Sequence, residues 1–294
     1  MRIALFAAVS LLLALPAAAQ DKGGETSSDD IIVIGKETRE TARDFVKALP
    51  PRQQADDPLA RFSYAPVCPA AAGLGARLDA EITARMRRVA AAAKVPLAPE
   101  GCGTNALVLF ADDKAEMIRA LRREHPAYFL GADGMSVDVP KGKGPATAWY
   151  LSGYVDRDGR PVAYDAEAGY HVVNSTLGPS RINATVRPVF IASVVVIERG
   201  ALEGLSATQV ADYAAMRAFT GADPARMKGS DAPTILTLLD STMDSEIPIT
   251  LTEWDMSFLT AFYAAPENRL GTRQRLAIGS HMEKAMEAGK KEDE

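Results

Sequence analysis

The sequence predicts an α+β fold: a mixed or antiparallel sheet of about five strands, with packing helices and a C-terminal helical subdomain. Three observations lead there. Residues 190–197 are almost wholly apolar and rich in Val and Ile, too short a run for a membrane span and suited to a strand covered on both faces. Shorter β-branched or alternating runs precede it at 106–110, 147–155, 161–164, 171–173 and 181–187. After it the apolar spacing is helical, beginning at Ser206-Ala207-Thr208-Gln209, a capping box in which the Ser206 hydroxyl accepts from the Gln209 backbone N–H and the Gln209 side chain reaches back.

From the N-terminus, Met1-Arg2, an apolar stretch and Ala17-Ala18-Ala19 follow the order of a secretory signal: a basic start, an apolar core and small residues at the cleavage point. The expectation is a signal peptide over 1–19 and a secreted or periplasmic chain from Gln20. No Cys follows the cleavage point, so no lipoprotein anchor is indicated. No later apolar run approaches ~18 residues, so no membrane span is expected in the mature chain. The formal charge is −5, with Lys and Arg scattered rather than clustered, which argues against a nucleic-acid partner.

Residues 20–30 have the polar, Gly/Ser-bearing composition of a disordered segment. Ile31-Ile32-Val33-Ile34-Gly35 then reads as a short strand, docked on the protein's own sheet or added to the sheet edge of a partner. Its acidic-then-apolar order is similar to the TonB-box segment of TonB-dependent receptors, departing at Ile34, where Thr is usual. That resemblance implies an accessory of outer-membrane uptake with an envelope protein as partner. Ala42, Phe45, Val46 and Leu49 are spaced as an amphipathic helix, stopped by Pro50-Pro51. The expected organisation is an arm over 20–59, an α+β core over 60–221, a helical lid over 222–288 and a frayed tail over 289–294.

The two cysteines, Cys68 and Cys102, are expected to pair, because an even count in an exported chain favours a disulfide. Closing that loop stabilises the fold by roughly 3–4 kcal/mol. Within it, residues 76–95 form a helix with Leu78, Ile82, Met86 and Val89 on one face and Arg77, Arg85, Arg87 and Arg88 mostly on the solvated others. No C-x-x-C is present, so the bond reads as a staple rather than a redox centre.

Asp112 or Asp113 caps a helix running to residue 123 and ended by His125-Pro126. A Gly/Pro/Lys loop over 133–145 follows; its Gly142-Lys143-Gly144 lacks the spacing of a phosphate-binding loop. Asp158-Gly159 turns a hairpin between 147–155 and 161–164. Asn174-Ser175-Thr176 and Asn183-Ala184-Thr185 match a glycosylation sequon, a pattern short enough to arise by chance. Past residue 206, Gly221 is placed to end the capped helix. Residues 232–239 read as a short helix capped by Asp231. Thr252 and Asp255 form a second capping box, opening a helix with Trp254, Phe258, Leu259 and Phe262 on one face. Residues 272–288 make the last helix, with Leu276 and Met282 inward.

A buried strand followed by a helix is where zincin metallopeptidases carry H-E-x-x-H, with two His holding zinc and a Glu as general base. The helix here reads Ala211-Asp212-Tyr213-Ala214-Ala215; in that register Ala stands at both ligand positions and no metal is expected. An ordinary helix packed on an ordinary strand fits the same residues. The chain also resembles a family of secreted proteobacterial proteins sharing P-V-C-P-x-x-x-G-L, an amphipathic helix, then G-C-x-x-N and a strand. Here these are Pro66-Val67-Cys68-Pro69 with Gly73-Leu74, and Gly101-Cys102 with Asn105. The resemblance covers residues 60–285 and implies a zincin-like layout with an eroded metal motif, but no particular activity.

Catalytic signals are sparse. His125, His171 and His281 are scattered, G-x-S-x-G is absent, and paired cysteines leave no free thiol. Asp212, Asp240, Asp244 and Glu246 are available for carboxylate chemistry, if the fold brings two together. The leading expectation is a non-catalytic binding protein without cofactor, taking an extended peptide along residues 181–187 as an edge strand. Asp212, Tyr213, Arg217, Arg181 and Asn183 would line its groove. A metal-independent hydrolase using carboxylates, and the uptake accessory, are the alternatives.

Overall fold

The computed structural model describes residues 28–49, 57–142, 144–165, 167–173, 180–227, 232–240 and 247–292. In chain order the elements are α1 (Ser28–Ala48), β1 (Pro69–Ala72), α2 (Ala76–Ala92), β2 (Ala106–Ala111), α3 (Lys114–Glu124), β3 (Ala146–Asp156), β4 (Ala163–Asp165), β5 (Tyr170–Val172), β6 (Val186–Glu198), α4 (Ala207–Thr220), α5 (Glu253–Ala264) and α6 (Gly271–Glu292). Four strands form a mixed sheet in the order β1-β2-β6-β3, with β1, β2 and β6 parallel and β3 antiparallel at one edge. The fold is α+β, with one strand fewer in the sheet than expected; β4 and β5 make a separate two-stranded ribbon.

β6 is the spine of the sheet. Its residues Val194 to Ile197 are fully buried, because helices cover both faces. α2 and α4 share the larger apolar cluster with the sheet, and α3 with Phe129 and Trp149 covers the opposite face. Pro188 lies inside β6, on the stretch that β2 does not reach, since their pairing starts at Ser193. A missing N–H is tolerated there. Ile191 is left out of the ladder, where the register shifts beside Leu151 and Ser152. The capping boxes at Ser206 and Thr252 form as expected, Asp113 rather than Asp112 caps α3, and Gly221 ends α4 at φ 71°. Gly73 follows β1 at φ 120°, packed so closely on the Phe110 carbonyl that no Cβ fits.

Several expectations are corrected. Residues 181–187 are not an edge strand. Only Val186 and Arg187 are strand, at the start of β6, where they pair with Asp156 and Val155 of β3. The stretch before them is held by the α5–α6 connection, where the Ala184 N–H donates to the Asn268 carbonyl and the Leu270 N–H to the Ile182 carbonyl. The hairpin after β3 pairs only at its mouth, Val155 with Pro161, before β4 leaves to join β5. Residues 28–30, expected at the end of a disordered segment, and residues 31–35, expected as a strand, all lie within α1. The following Lys-Glu-Thr-Arg-Glu-Thr-Ala stretch is good helix former, and elongating an existing helix is far cheaper than nucleating one, so the β-branched run is drawn in. The expected helix over 232–239 shrinks to a 3-10 turn, Ile235–Thr237, capped by Thr234. In α6 the inward positions are Gln274, Ile278 and Met282, while Leu276 is exposed. Gln274 sets that register: its side-chain carbonyl accepts the Leu59 N–H, and its amide donates to the Pro266 and Glu267 carbonyls.

The N-terminal arm closes on the C-terminal helices. Ala42, Phe45, Ala48 and Leu49 are fully buried, and Phe45 stacks on Trp254 and tilts against Phe258. The signal peptide over 1–19, the segment over 20–27, the sequon at Asn174, Asp231, Asp244, Glu246 and the last two residues lie outside the described residues.

Candidate functional site: a cleft along the free edge of β3

In an antiparallel strand, the backbone groups of successive residues point alternately to the two neighbours. On β3 the Ser152 and Tyr154 carbonyls point away from β6, accepting from the Ala132 and Val162 N–H groups, while the carbonyl of Pro145 accepts from Glu198 of β6. Ala146, Ala148 and Tyr150 therefore turn their N–H and C=O groups outward. Among the described residues, no backbone bond reaches them across that edge. The edge is thus blocked beyond Ser152 and open before it.

A cleft of about 580 Å³ runs along the open half. β3 forms one wall, the loop carrying Val137, Asp138 and Pro140 another, and α4 the floor, through Tyr213 and Arg217. Gly221 to Ala225, Leu239 and Asp240 close its end. Ala146 and Ala148 keep the space open because their side chains, on the α4 side of the sheet, are small.

Tyr213 and Arg217 are i, i+4 on α4 and so share one face. Arg217 is only 9% exposed, its Nε has no hydrogen-bond partner, and it forms no ion pair among the described residues. Its guanidinium lies over the Tyr213 ring at 6.0 Å. Burial pulls its pKa down, but the phenol oxygens of Tyr213 and Tyr150, together with the Asp223 carboxylate, outweigh that and hold it above the ordinary value. Burial pushes both phenols up, Tyr150 to about 12. Tyr150 also donates its hydroxyl to the Arg217 carbonyl at 2.7 Å and stacks on Phe190, which fixes strand and helix relative to each other. Asp138, Asp223 and Asp240 are exposed at the rim.

Of the groove residues expected from sequence, the fold brings together Tyr213 and Arg217 alone. Asp212 is fully buried away from the cleft, in a two-pronged ion pair with Arg85 of α2, 2.7 Å to Nε and 3.0 Å to Nη2. Thr250 and the Leu251 N–H complete its shell. Arg181 is exposed on the segment before β6, and Asn183 bridges to Arg269. Tyr150, Ala148 and the edge they form were missed, because an edge is defined by which strand fails to arrive.

The Cys68–Cys102 disulfide is formed, closing a separation of 34 residues. Asn105 reinforces it: its side-chain carbonyl accepts the Cys68 N–H and its amide donates to the Pro66 carbonyl. The donor set of the cleft does not fit zinc. Ala211 and Ala215 face the core, and the α4 residues that face the cleft are a phenol and a guanidinium that has no lone pair and carries a fixed positive charge. His125 ends α3, His171 is in β5 and His281 in α6, and no group of three or more His, Cys, Asp or Glu converges among the described residues. No helix among them is long and apolar enough to cross a membrane. Comparison with protein-family models, with curated proteins and with solved structures found no match to this chain.

Proposed function

We propose that this is an exported, non-catalytic binding protein that takes an extended peptide by strand addition along the open half of β3. The observation that carries the reading is the row of outward backbone groups at Ala146, Ala148 and Tyr150 facing a cleft of about 580 Å³. A bare sheet edge is otherwise a liability for a soluble chain, which normally covers or blunts it. Export is supported by the leader-like first residues and by the disulfide, which persists in oxidising compartments.

The layout also supports the resemblance to zincins with an eroded metal motif: three parallel strands, an antiparallel edge strand, and a helix after the central strand that presents an i, i+4 pair to the cleft. The pair is Tyr213 and Arg217, two residues further on than the alanine register read from sequence. Of the carboxylates behind the hydrolase alternative, Asp212 is committed to Arg85 outside the cleft, while Asp240 lines its rim. The uptake alternative rested on an extended 31–35 segment, which is helical here.

Amide hydrogen exchange tests the proposal. In the free protein the Ala148 and Tyr150 N–H groups are expected to exchange fast, and those of Trp149 and Leu151, bonded to β6, slowly. A bound extended peptide then slows Ala148 and Tyr150 selectively. Equal protection of all four in the free protein, or a stoichiometric, tightly held metal in the purified protein, would overturn it.

A further inference from the structure

A guanidinium without an anion is an unusual thing to bury. Removing a cation from water costs several kcal/mol unless a partner compensates, and buried arginines are normally paired. Arg187 follows that rule here, and Arg61 is compensated by carbonyl acceptors instead. Arg61 donates to the Phe262 and Ala265 carbonyls at the end of α5, and Arg187 pairs with Glu267 at 2.6 Å. Arg217 is buried to a similar degree and lines the cleft; two phenols lie against it and the Asp223 carboxylate acts on it through space, but it forms no ion pair among the described residues. Those phenols position the guanidinium without neutralising it.

The sheet geometry says what reaches it. Side chains of a strand added to β3 alternate between the two faces, as those of β3 do: Ala146, Ala148 and Tyr150 toward α4, Trp149 and Leu151 toward α3. A residue added opposite Ala148 or Tyr150 therefore turns its side chain into the space between the strand and Arg217. The group that satisfies a planar guanidinium there is a carboxylate, which meets it with two parallel N–H···O bonds. The rim adds a second selection. Asp138, Asp223 and Asp240 place three carboxylates at the mouth, with the Lys114 ammonium held on the Gly142 and Gly144 carbonyls, so basic side chains on either side of the acidic one can meet the carboxylates.

We propose that the cleft selects an extended peptide segment carrying one acidic side chain, received by Arg217, between flanking basic residues that meet the carboxylates of the rim. This rests on the strand-addition reading of the same cleft. The probes are the capped peptide acetyl-Lys-Thr-Val-Glu-Val-Thr-Lys-amide and its twin with Gln in place of Glu. The Lys114 ammonium at the rim can also favour Glu, so it is a preference for Glu lost in Arg217→Gln that isolates the guanidinium.

The expected result is that the Glu peptide binds full-length mature protein at least about tenfold more tightly, the scale of one charge-assisted pair. It should also shift the Arg217 Nε–H resonance, assigned by its loss in Arg217→Gln, and that variant should bind both peptides alike. Equal affinities, or tighter binding of the Gln twin, would overturn the proposal. So would equally tight binding by a Gln twin with a free C-terminal carboxylate, which would move the anion from side chain to chain end. If Arg217→Gln fails to fold, wild-type affinities and the disappearance of the Nε–H signal in Arg217→Lys serve instead. If neither peptide perturbs the Ala148 and Tyr150 amides, strand addition itself fails. In that case acetyl-glutamate amide still reports on Arg217: a saturable shift of the Nε–H signal supports a carboxylate receptor, and an unmoved signal removes it.

Discussion

Asp212 shows how much of a side chain's role depends on the turn of a helix. It is adjacent to Tyr213 in sequence, and consecutive residues stand about 100° apart around a helix, so they serve different neighbours. Tyr213 faces the cleft, while both oxygens of Asp212 are consumed by Arg85, Thr250 and Leu251. The sequence shows an acidic residue in the right helix but not which face meets the sheet edge, and this is why Asp212 reads as a groove residue. By the same logic Arg85 looks solvated on α2, although Arg77 and Arg88 on that helix are indeed exposed. Removing one partner of a buried pair costs more than the pair contributes, because the other charge is stranded. Asp212→Ala is therefore expected to lower the unfolding free energy by about 3 kcal/mol, the lower end for a buried pair, since the Arg85 side chain keeps 26% of its exposure. Urea denaturation reads this directly. Asp212→Leu combined with Arg85→Met should recover part of the loss, and a double variant worse than the two single losses added would contradict the stranded-charge account.

At the scale of elements, what is local was legible and what depends on a distant partner was not. Both capping boxes, the Asp113 cap and the Gly221 stop are encoded within a few residues and form as read. The fate of 181–187 was not so encoded: an alternating run fits an edge strand equally well as a tether, and the deciding partner, Asn268 to Leu270, lies far along the chain. The cysteine pair is an intermediate case, where chemistry forecasts a long-range contact without geometry. The bond fixes the entry to β1 against the approach to β2, where the Asn105 and Ala106 N–H groups donate to the Cys68 carbonyl. Cys68→Ser with Cys102→Ser should cost roughly 3–4 kcal/mol for a loop of this length. The wild type is expected to lose a similar amount on adding dithiothreitol in the unfolding assay, and the double variant to be insensitive to it. Indifference of the wild type to reduction, with the bond shown by mass to be broken, would mean that Asn105 and the sheet alone hold this corner.

At the scale of the whole molecule, the two ends of the chain make one core. α1 was legible as an amphipathic helix, but its destination was not, because an apolar stripe names no partner. The structure places that stripe against α5 and α6: Phe45 stands 6.3 Å from the Trp254 ring and 5.4 Å from that of Phe258. Arg275 donates to the Val46 carbonyl, and the Asp223 N–H to that of Ala48. The second of these bonds ties α1 to the segment that closes the cleft, so the arm braces the end wall against which a ligand would rest. Phe45→Ala opens a void in a fully buried site and is expected to cost about 3–5 kcal/mol. Because α1 shares one apolar cluster with α2, α4 and the sheet, the loss should fall on a single cooperative transition, with the denaturant midpoint lowered and the slope unchanged. Two probes check it together: Trp149 lies under α3 and Trp254 beside Phe45, so Trp149→Phe and Trp254→Phe backgrounds report the two sides of the sheet separately by fluorescence. Coincident transitions place the N-terminal helix in the folding unit of the sheet. An early transition seen only through Trp254 would instead make α1, α5 and α6 a separable layer, and the cleft would then be closed by a wall that opens independently of its β3 edge.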